Sequence, residues 1–124
     1  MKILVVDDED GMRRLLSRVL TREGYETSAV GSGAEALRLV GSERFDLVVT
    51  DIKMPEMDGY EVSQAIRNTL ESPKNRMPII ALTAGVMETD LKKCLDAGMN
   101  GYISKPYKAT DLVFEITKVL KLKA

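Results

Sequence analysis

The chain has 124 residues, a length that suits one ordinary domain and is too short for two. Its 18 basic and 19 acidic residues are interspersed, which argues against a nucleic-acid-binding surface and a membrane-surface patch. We expect a cytoplasmic protein, because no leader precedes the first apolar run and no apolar stretch is long enough to cross a bilayer. The chain has no histidine and one cysteine, Cys94, which excludes imidazole chemistry within the chain and an internal disulfide.

A buried strand and an amphipathic helix are predicted at the start of the chain. Residues 3–6 are a continuous apolar run, which is typical of a strand covered on both faces. Asp10 is the predicted N-cap of the next helix, and Gly24 is placed to end it. The apolar residues of this helix recur at helical spacing: Met12, Leu15, Leu16, Val19 and Leu20.

The middle of the chain repeats this strand-and-helix pattern. Residues 26–30 are weakly apolar and predict a strand at the edge of a sheet. Residues 47–51 begin with three large apolar side chains and end in one carboxylate, Asp51, so they predict a central buried strand. Two helices open with the spacing of a capping box, Ser32 with Glu35 and Asp58 with Glu61.

Two further strands and helices are predicted in the last third of the chain. Residues 79–82 predict a buried strand, and residues 100–104 predict the last one. The final helix has Lys108 where a capping oxygen is expected, which leaves Thr110 as the alternative N-cap. The helix between the two strands carries its apolar residues on one face: Met87, Leu91, Cys94 and Leu95.

The alternation of strands and helices defines the fold class. Strands and helices alternate five times with short connections, which is the signature of a parallel sheet covered by helices on both faces. The crossovers of such a sheet are right-handed. We therefore expect one α/β domain over residues 1–124, without an internal boundary or repeat.

Polar residues end the strands of the predicted sheet. They are Asp7 and Asp8 after the first strand, Asp51 at the third, Thr83 after the fourth and Lys105 after the fifth. Parallel strands place their carboxyl ends at one edge, which is where open α/β sheets bind ligands. Three carboxylates gathered there would repel one another unless a cation neutralised them. Oxygen ligands favour Mg²⁺, whereas the lack of histidine and the single cysteine argue against zinc.

These groups together predict phosphoryl transfer to Asp51. The carboxylate would attack phosphorus and form an acyl phosphate. Mg²⁺ and Lys105 would neutralise charge on the transferring oxygens, and Thr83 could donate a hydrogen bond to one of them. Because aspartate is ordinarily ionised near neutral pH, the attack requires no general base.

Several short motifs stand in a fixed order along nearly the whole chain: Asp7 and Asp8, Asp51, Met54 and Pro55, Asp58 and Gly59, Thr83 and Ala84, and Lys105 and Pro106. This ordered set resembles the receiver domains of bacterial two-component response regulators, and is similar to the single-domain chemotaxis regulators. Residues 78–106 also resemble receivers attached to hybrid sensor kinases. The resemblance implies a flavodoxin-like, doubly wound sheet of five parallel strands in the order 2-1-3-4-5, sandwiched between five helices.

The resemblance implies a role for each strand-end residue. Asp51 would be the phosphoacceptor. Lys105 would contact the phosphoryl group, and its peptide bond to Pro106 would be cis. Mg²⁺ would be held by four groups: Asp7 through water, Asp8, Asp51 and the backbone carbonyl of Lys53.

The resemblance also implies a switch and its partners. Thr83 would move towards the phosphoryl oxygens, and Tyr102 would exchange exposed and buried rotamers. The phosphoryl group would come from a phosphohistidine on a histidine kinase or a histidine phosphotransfer protein. The fourth helix, last strand and final helix flank both switch residues, so an unknown downstream protein is expected to bind there. The resemblance is compatible with a monomer or a weak phosphorylation-dependent dimer.

Three alternative functions are open at this stage. The first is a receiver-like interaction domain that works without phosphorylation. The second is a haloacid-dehalogenase-type phosphotransferase, which would need a second acid where this chain has Lys53, and a cap insertion that this chain lacks. The third is a nucleotide or flavin module, which would need a phosphate-binding loop where residues 7–10 are all acidic.

Overall fold

The computed structural model describes residues 1–84 and 88–123 of the chain. Within that part, five β-strands alternate with five α-helices, and a short 3₁₀ helix lies at Lys74–Arg76. The strands are β1 (Lys2–Val6), β2 (Glu26–Val30), β3 (Leu47–Asp51), β4 (Ile79–Thr83) and β5 (Gly101–Ser104). The helices are α1 (Asp10–Arg22), α2 (Gly33–Ser42), α3 (Gly59–Thr69), α4 (Glu88–Asp96) and α5 (Ala109–Lys123).

All five strands pair in parallel in the order β2-β1-β3-β4-β5, which confirms the predicted topology and the edge position of β2. β3 is central and is buried at every position. Val6 of β1 lies beside Thr50 of β3, and Leu82 of β4 lies beside Asp51. This register brings the carboxyl ends of β1, β3 and β4 to one edge of the sheet.

Helices cover both faces of the sheet, so the core has two halves. α2, α3 and α4 pack on one face, and α1 and α5 pack on the other. On the first face the helices contribute Ala36, Val40, Val62, Ile66 and Cys94. On the second face they contribute Leu16, Leu20, Leu112, Ile116 and Val119. In the described part of the chain, no helix is both long and apolar enough to cross a membrane.

Hydrogen bonds to side chains explain where α2 and α3 begin. The Ser32 hydroxyl accepts a bond from the backbone N–H of Glu35, with 3.2 Å between the two atoms. Asp58 and Glu61 form the complete reciprocal capping box, with N···O distances of 2.8 and 3.1 Å. Both predicted helix starts are therefore confirmed.

The predicted caps of α1 and α5 are wrong. Asp10 is the first residue of α1 and not its cap, because its carboxylate is engaged by the guanidinium of Arg13. α5 begins at Ala109, where the Asp111 carboxylate accepts a bond from the backbone N–H of Lys108 at 2.9 Å. Thr110 is therefore the second residue of α5 and does not cap the helix.

The apolar face predicted for the fourth helix is only partly correct. Cys94 is buried, but Leu95 is 71% exposed. Successive residues of a helix are turned by about 100°, so Cys94 facing the sheet directs Leu95 outward. Leu15 in α1 is exposed beside buried Leu16 for the same reason. Met87 lies outside the described residues.

Gly59 begins α3 at its closest approach to the end of β3. A Cβ atom built there would lie 2.5 Å from the backbone oxygen of Asp51 and 3.0 Å from the Cα atom of Ile52. Backbone atoms cannot rotate away from such a contact as a flexible side chain can. Glycine at this position is therefore required by the contact with β3.

We expect Gly59→Ala to lower the free energy of unfolding by about 1–3 kcal/mol, because the added methyl overpacks the end of β3. Urea denaturation measures the change. Gly41→Ala in α2 is the matched control, since a Cβ there meets no atom within 4 Å. That variant should gain about 0.5–1 kcal/mol from its higher helix propensity. Equal stabilities of the two variants would contradict the close contact.

Candidate functional site

Asp51 ends β3 and is the centre of the site. Its side chain is buried, and one carboxylate oxygen, Oδ1, accepts a bond from the backbone N–H of Ile52 at 3.0 Å. Lys105 Nζ lies 2.9 Å from the same oxygen. The lysine is held in place through its backbone N–H, which donates to the carbonyl of Thr83 at 2.8 Å. Pairing between β4 and β5 therefore positions the cation beside Asp51.

Asp7, Asp8 and Asp51 form a cluster of three acids. Their nearest carboxylate oxygens all lie within 4.8 Å of one another. Asp7 and Asp51 are buried and Asp8 is exposed. The pKa of Asp7 is raised, mainly by burial and further by the negative charge of Asp51. The folded chain therefore holds the charged form of Asp7 at a cost in free energy.

The hydrogen bonds of Asp7 leave one carboxylate oxygen available. Its Oδ1 accepts a bond from the backbone N–H of Glu9 at 3.0 Å. Its Oδ2 is buried and has no hydrogen-bond partner among the described residues. A buried carboxylate oxygen without a partner is costly, and a divalent cation would satisfy it. The cluster offers only oxygen atoms, so its residues fit Mg²⁺.

A cavity of about 820 Å³ opens above Asp51. Thr83 and Lys105 line it together with Asp51, and so do Tyr60 and Lys93. The space is much larger than a phosphoryl group, so a reacting group carried by another protein can reach the carboxylate. The predicted trio of Asp51, Thr83 and Lys105 therefore meets in one cavity.

The structure separates Tyr102 from this cavity. Tyr102 is in β5, and its side chain is 41% exposed. It lines a different depression of about 220 Å³ between α4 and α5, together with Leu95 and Lys118. Lys93, two residues before Leu95 in α4, lines the cavity of Asp51 instead.

Sequence reasoning missed two residues beside the acids. Tyr107 has a buried hydroxyl without a partner among the described residues, and its pKa is raised by burial and by the charges of Asp7 and Asp51. Arg13 donates from Nη1 to the backbone oxygen of Asp7 at 2.7 Å. The available signals were the position of Tyr107 two residues after Lys105, and the position of Arg13 in the first turn of α1. The Lys105–Pro106 peptide bond is cis.

Comparisons with known sequences identify relatives over nearly the whole chain. The profile of the response regulator receiver domain matches residues 3–117. Hybrid signal transduction histidine kinase B of Dictyostelium discoideum is 37% identical over 94% of this chain, which is 6% of the kinase. Response regulator MprA of Mycobacterium avium is 36% identical over 98% of this chain, which is 51% of MprA. The chain thus spans about half of MprA and a small part of the hybrid kinase.

Solved structures give the same result for the fold. Chemotaxis protein CheY4 of Vibrio cholerae has a TM-score of 0.88 and 30% identity, and the match covers 95% of this chain and 97% of CheY4. The receiver domain of sensor histidine kinase PA1611 from Pseudomonas aeruginosa, solved with a magnesium ion in its active site cleft, has a TM-score of 0.86 and 33% identity, with 97% of both chains covered. The present chain belongs to the response regulator receiver domain family of two-component systems.

Proposed function

We propose that residues 1–124 act as one receiver domain, a phosphorelay switch in which Asp51 accepts a phosphoryl group from a phosphohistidine on another protein. One observation carries this proposal: a buried carboxylate at the end of the central strand lies 2.9 Å from an ammonium group and beside two further acids. The arrangement combines a carboxyl nucleophile, a fixed cation and a set of oxygen ligands for a metal. These are the groups that phosphoryl transfer requires.

In the proposed reaction, a carboxylate oxygen of Asp51 forms a bond to phosphorus. The bond between phosphorus and the imidazole nitrogen of the donor breaks, and its electron pair stays with the imidazole. Lys105 would donate to a phosphoryl oxygen and offset its charge, and Thr83 would donate its hydroxyl to another. Both residues already line the cavity at Asp51.

Mg²⁺ would be held by Asp8, Asp51, the backbone carbonyl of Lys53 and, through water, Asp7. When bound, it would neutralise negative charge on the carboxylates and the transferring group. The acidic cluster supports this proposal, since Asp7 Oδ2 has no hydrogen-bond partner within the described part of the chain. The magnesium ion named for the receiver of PA1611 supports it further.

The proposed donor is a histidine kinase or a histidine phosphotransfer protein. This chain contains no histidine, so the phosphohistidine must come from another domain or protein. Two relatives, the hybrid kinase of Dictyostelium and sensor histidine kinase RcsC of Escherichia coli, are kinases that contain a region similar to this chain. Kinases in general take a phosphoryl group from ATP, which is available in the cytoplasm. We therefore also propose a cytoplasmic location.

The proposed output surface is formed by α4, β5 and α5. Among the residues whose burial is described, three large apolar ones are exposed there: Leu95 at 71%, Phe114 at 69% and Tyr102 at 41%. Phosphorylation would draw Thr83 towards the phosphoryl oxygens and change the rotamer of Tyr102. An unknown downstream protein, or a second copy in a weak phosphorylation-dependent dimer, would bind this surface.

The alternative of a haloacid-dehalogenase-type phosphotransferase has less support. Such an enzyme needs a second acid two residues after the nucleophile, and Lys53 occupies that position with an exposed side chain. The receiver family is a signalling family. We therefore propose that the only reactions of this chain are its own phosphorylation and dephosphorylation.

Acetyl phosphate with Mg²⁺ should add one phosphoryl group to the wild-type chain and none to Asp51→Asn, as measured by intact mass. The amide of asparagine is not a nucleophile towards phosphorus, which is the reason for the loss. Asp90→Asn is the control, because Asp90 lines the outer part of the same cavity. An adduct on Asp51→Asn would contradict the assignment of the acceptor. No adduct on folded wild type would favour an interaction domain that works without phosphorylation.

Asp7→Asn should raise the melting temperature of the metal-free protein at pH 7 by about 2–5 °C. Folding raises the pKa of Asp7 above its usual 3.8, so its charged form opposes folding. This penalty is absent below pH 3.8, where the carboxyl is protonated in both states, and develops as the pH rises through the raised pKa. The advantage of the variant should therefore disappear in acid.

Mg²⁺ should stabilise wild type against heat and should stabilise Asp7→Asn less. Ligand binding to the folded state adds stability that grows with the logarithm of the ligand concentration divided by the dissociation constant, so weaker binding gives a smaller shift. Thermal melts with and without MgCl₂ measure both effects. Asp96→Asn, which removes an exposed acid at the end of α4, controls for net charge. The same Mg²⁺ shift in all three proteins would contradict a role for Asp7 in metal binding.

Thr83→Ala should uncouple phosphorylation from the output surface. Hydrogen exchange followed by mass spectrometry, at matched levels of adduct, should show a phosphorylation-dependent change in peptides of β5 and α5 for wild type and none for Thr83→Ala. Thr83→Ser keeps the hydroxyl and should respond like wild type. A full response in Thr83→Ala would show that its hydroxyl does not transmit the change.

A further inference from the structure

The guanidinium of Arg13 contacts three segments at the side of the acidic cluster. Its Nη1 donates to the backbone oxygen of Asp7 at 2.7 Å, and its Nη2 pairs with the carboxylate of Asp10. It also lies against Gly31, where a Cβ atom would stand 2.9 Å from Nη1. One side chain of α1 therefore bridges the loop after β1 and the loop after β2.

These contacts complete the fixation of Asp7. Its backbone N–H donates to the carbonyl of Val30 at 3.1 Å, and its Oδ1 accepts from the N–H of Glu9 at 3.0 Å. Arg13 holds the remaining backbone group, the carbonyl. With these groups engaged, Oδ2 is the oxygen that stays available.

The bond to the Asp7 carbonyl also orients Asp8. The carbonyl of one residue and the N–H of the next lie in one rigid peptide plane. Arg13 therefore fixes the peptide plane that leads into Asp8, through its bond to the Asp7 carbonyl. This matters because Asp8 is exposed and its carboxylate lacks the enclosure that holds Asp7.

The start of α1 needs such a support. Its N-cap residue, Glu9, makes no side-chain capping bond. A helix start without a side-chain cap leaves backbone N–H groups of its first turn without a partner from the cap, so this turn is less firmly held. Arg13 ties this turn to Asp7 and Asp10 from within the helix.

We propose that Arg13 is a positioning residue for the magnesium ligands, which holds the peptide between Asp7 and Asp8 in the geometry that binds the metal. The proposal rests on the proposed magnesium site. Arg13 is not among the residues that line the cavity at Asp51, so we assign it a positioning role and not a catalytic one.

The sign of the effect separates positioning from simple electrostatics. Removing a cation near three carboxylates makes the local potential more negative, which by itself would tighten Mg²⁺ binding. Losing the support of the Asp7–Asp8 peptide would weaken it. Arg13→Ala makes both changes at once, so the direction of the change in the dissociation constant shows which effect is larger.

Gly31→Ala tests the same contact without changing charge. Its methyl group would displace the end of the Arg13 side chain, which is flexible and can move away. The guanidinium would then leave the Asp7 carbonyl while the cation remains in the protein. Arg14→Ala is the matched control, because it removes the adjacent, exposed arginine.

Isothermal titration calorimetry with MgCl₂ on the full chain provides the test. We expect about tenfold weaker binding for Arg13→Ala, as for other residues that support metal ligands. Gly31→Ala should also weaken binding, Arg13→Lys should fall between Arg13→Ala and wild type, and Arg14→Ala should bind as tightly as wild type or slightly more tightly. At saturating Mg²⁺, the rate of adduct formation by Arg13→Ala should approach the wild-type rate.

Unchanged or tighter Mg²⁺ binding by folded Arg13→Ala would overturn the proposal, and so would unchanged binding by Gly31→Ala. If Arg13→Ala does not fold, Gly31→Ala and Arg13→Lys decide the question. Absence of Mg²⁺ binding to wild type would overturn the magnesium site and this proposal together. Wild-type binding with no difference among the variants would overturn the role of Arg13 alone.

Discussion

Repulsion among three carboxylates at one sheet edge is the constraint on which the rest of the structure depends. Asp7 and Asp51 are buried, and one carboxylate oxygen from each of Asp7, Asp8 and Asp51 lies within 4.8 Å of the other two. Lys105, at 2.9 Å from Asp51, offsets part of this repulsion. The charge of Asp51 still contributes to the raised pKa of Asp7. A site that binds a cation or a phosphoryl group must keep its acids together in this unfavourable state.

The sheet supplies the rigidity that prevents the acids from moving apart. β3 is buried along its whole length, and β1 and β4 flank it in fixed register. Gly59 lets α3 approach the backbone of Asp51 closely, and its N–H donates to the carbonyl of Ile52 at 2.9 Å. The acids therefore occupy the ends of elements that are stabilised by burial elsewhere. Burial of the apolar core stabilises the fold and so offsets the free-energy cost of holding the three acids together.

The fold and the strand-end residues could be predicted because both are local features of the sequence. Apolar runs and the polar residues that end them stand next to each other along the chain. Arg67 shows what such patterns miss: its guanidinium donates to the carbonyls of Gly98, Asn75 and Met77, which are up to 31 residues away. Asp10 was wrongly predicted as a cap because a competing partner, Arg13, also attracts its carboxylate.

Few residues of backbone separate the proposed phosphorylation site from the proposed output surface. Thr83 pairs with Ser104 across β4 and β5, and the Thr83 carbonyl accepts from the N–H of Lys105. Tyr102 lies in β5, three residues before Lys105, which directly follows the strand. A phosphoryl group on Asp51 that attracts the Thr83 hydroxyl and Lys105 would therefore act on both strands of the pair, at the end of β4 and just after β5. Tyr102 of β5 is itself part of the exposed apolar surface of α4, β5 and α5, so the proposed movement of this strand pair would reach that surface directly.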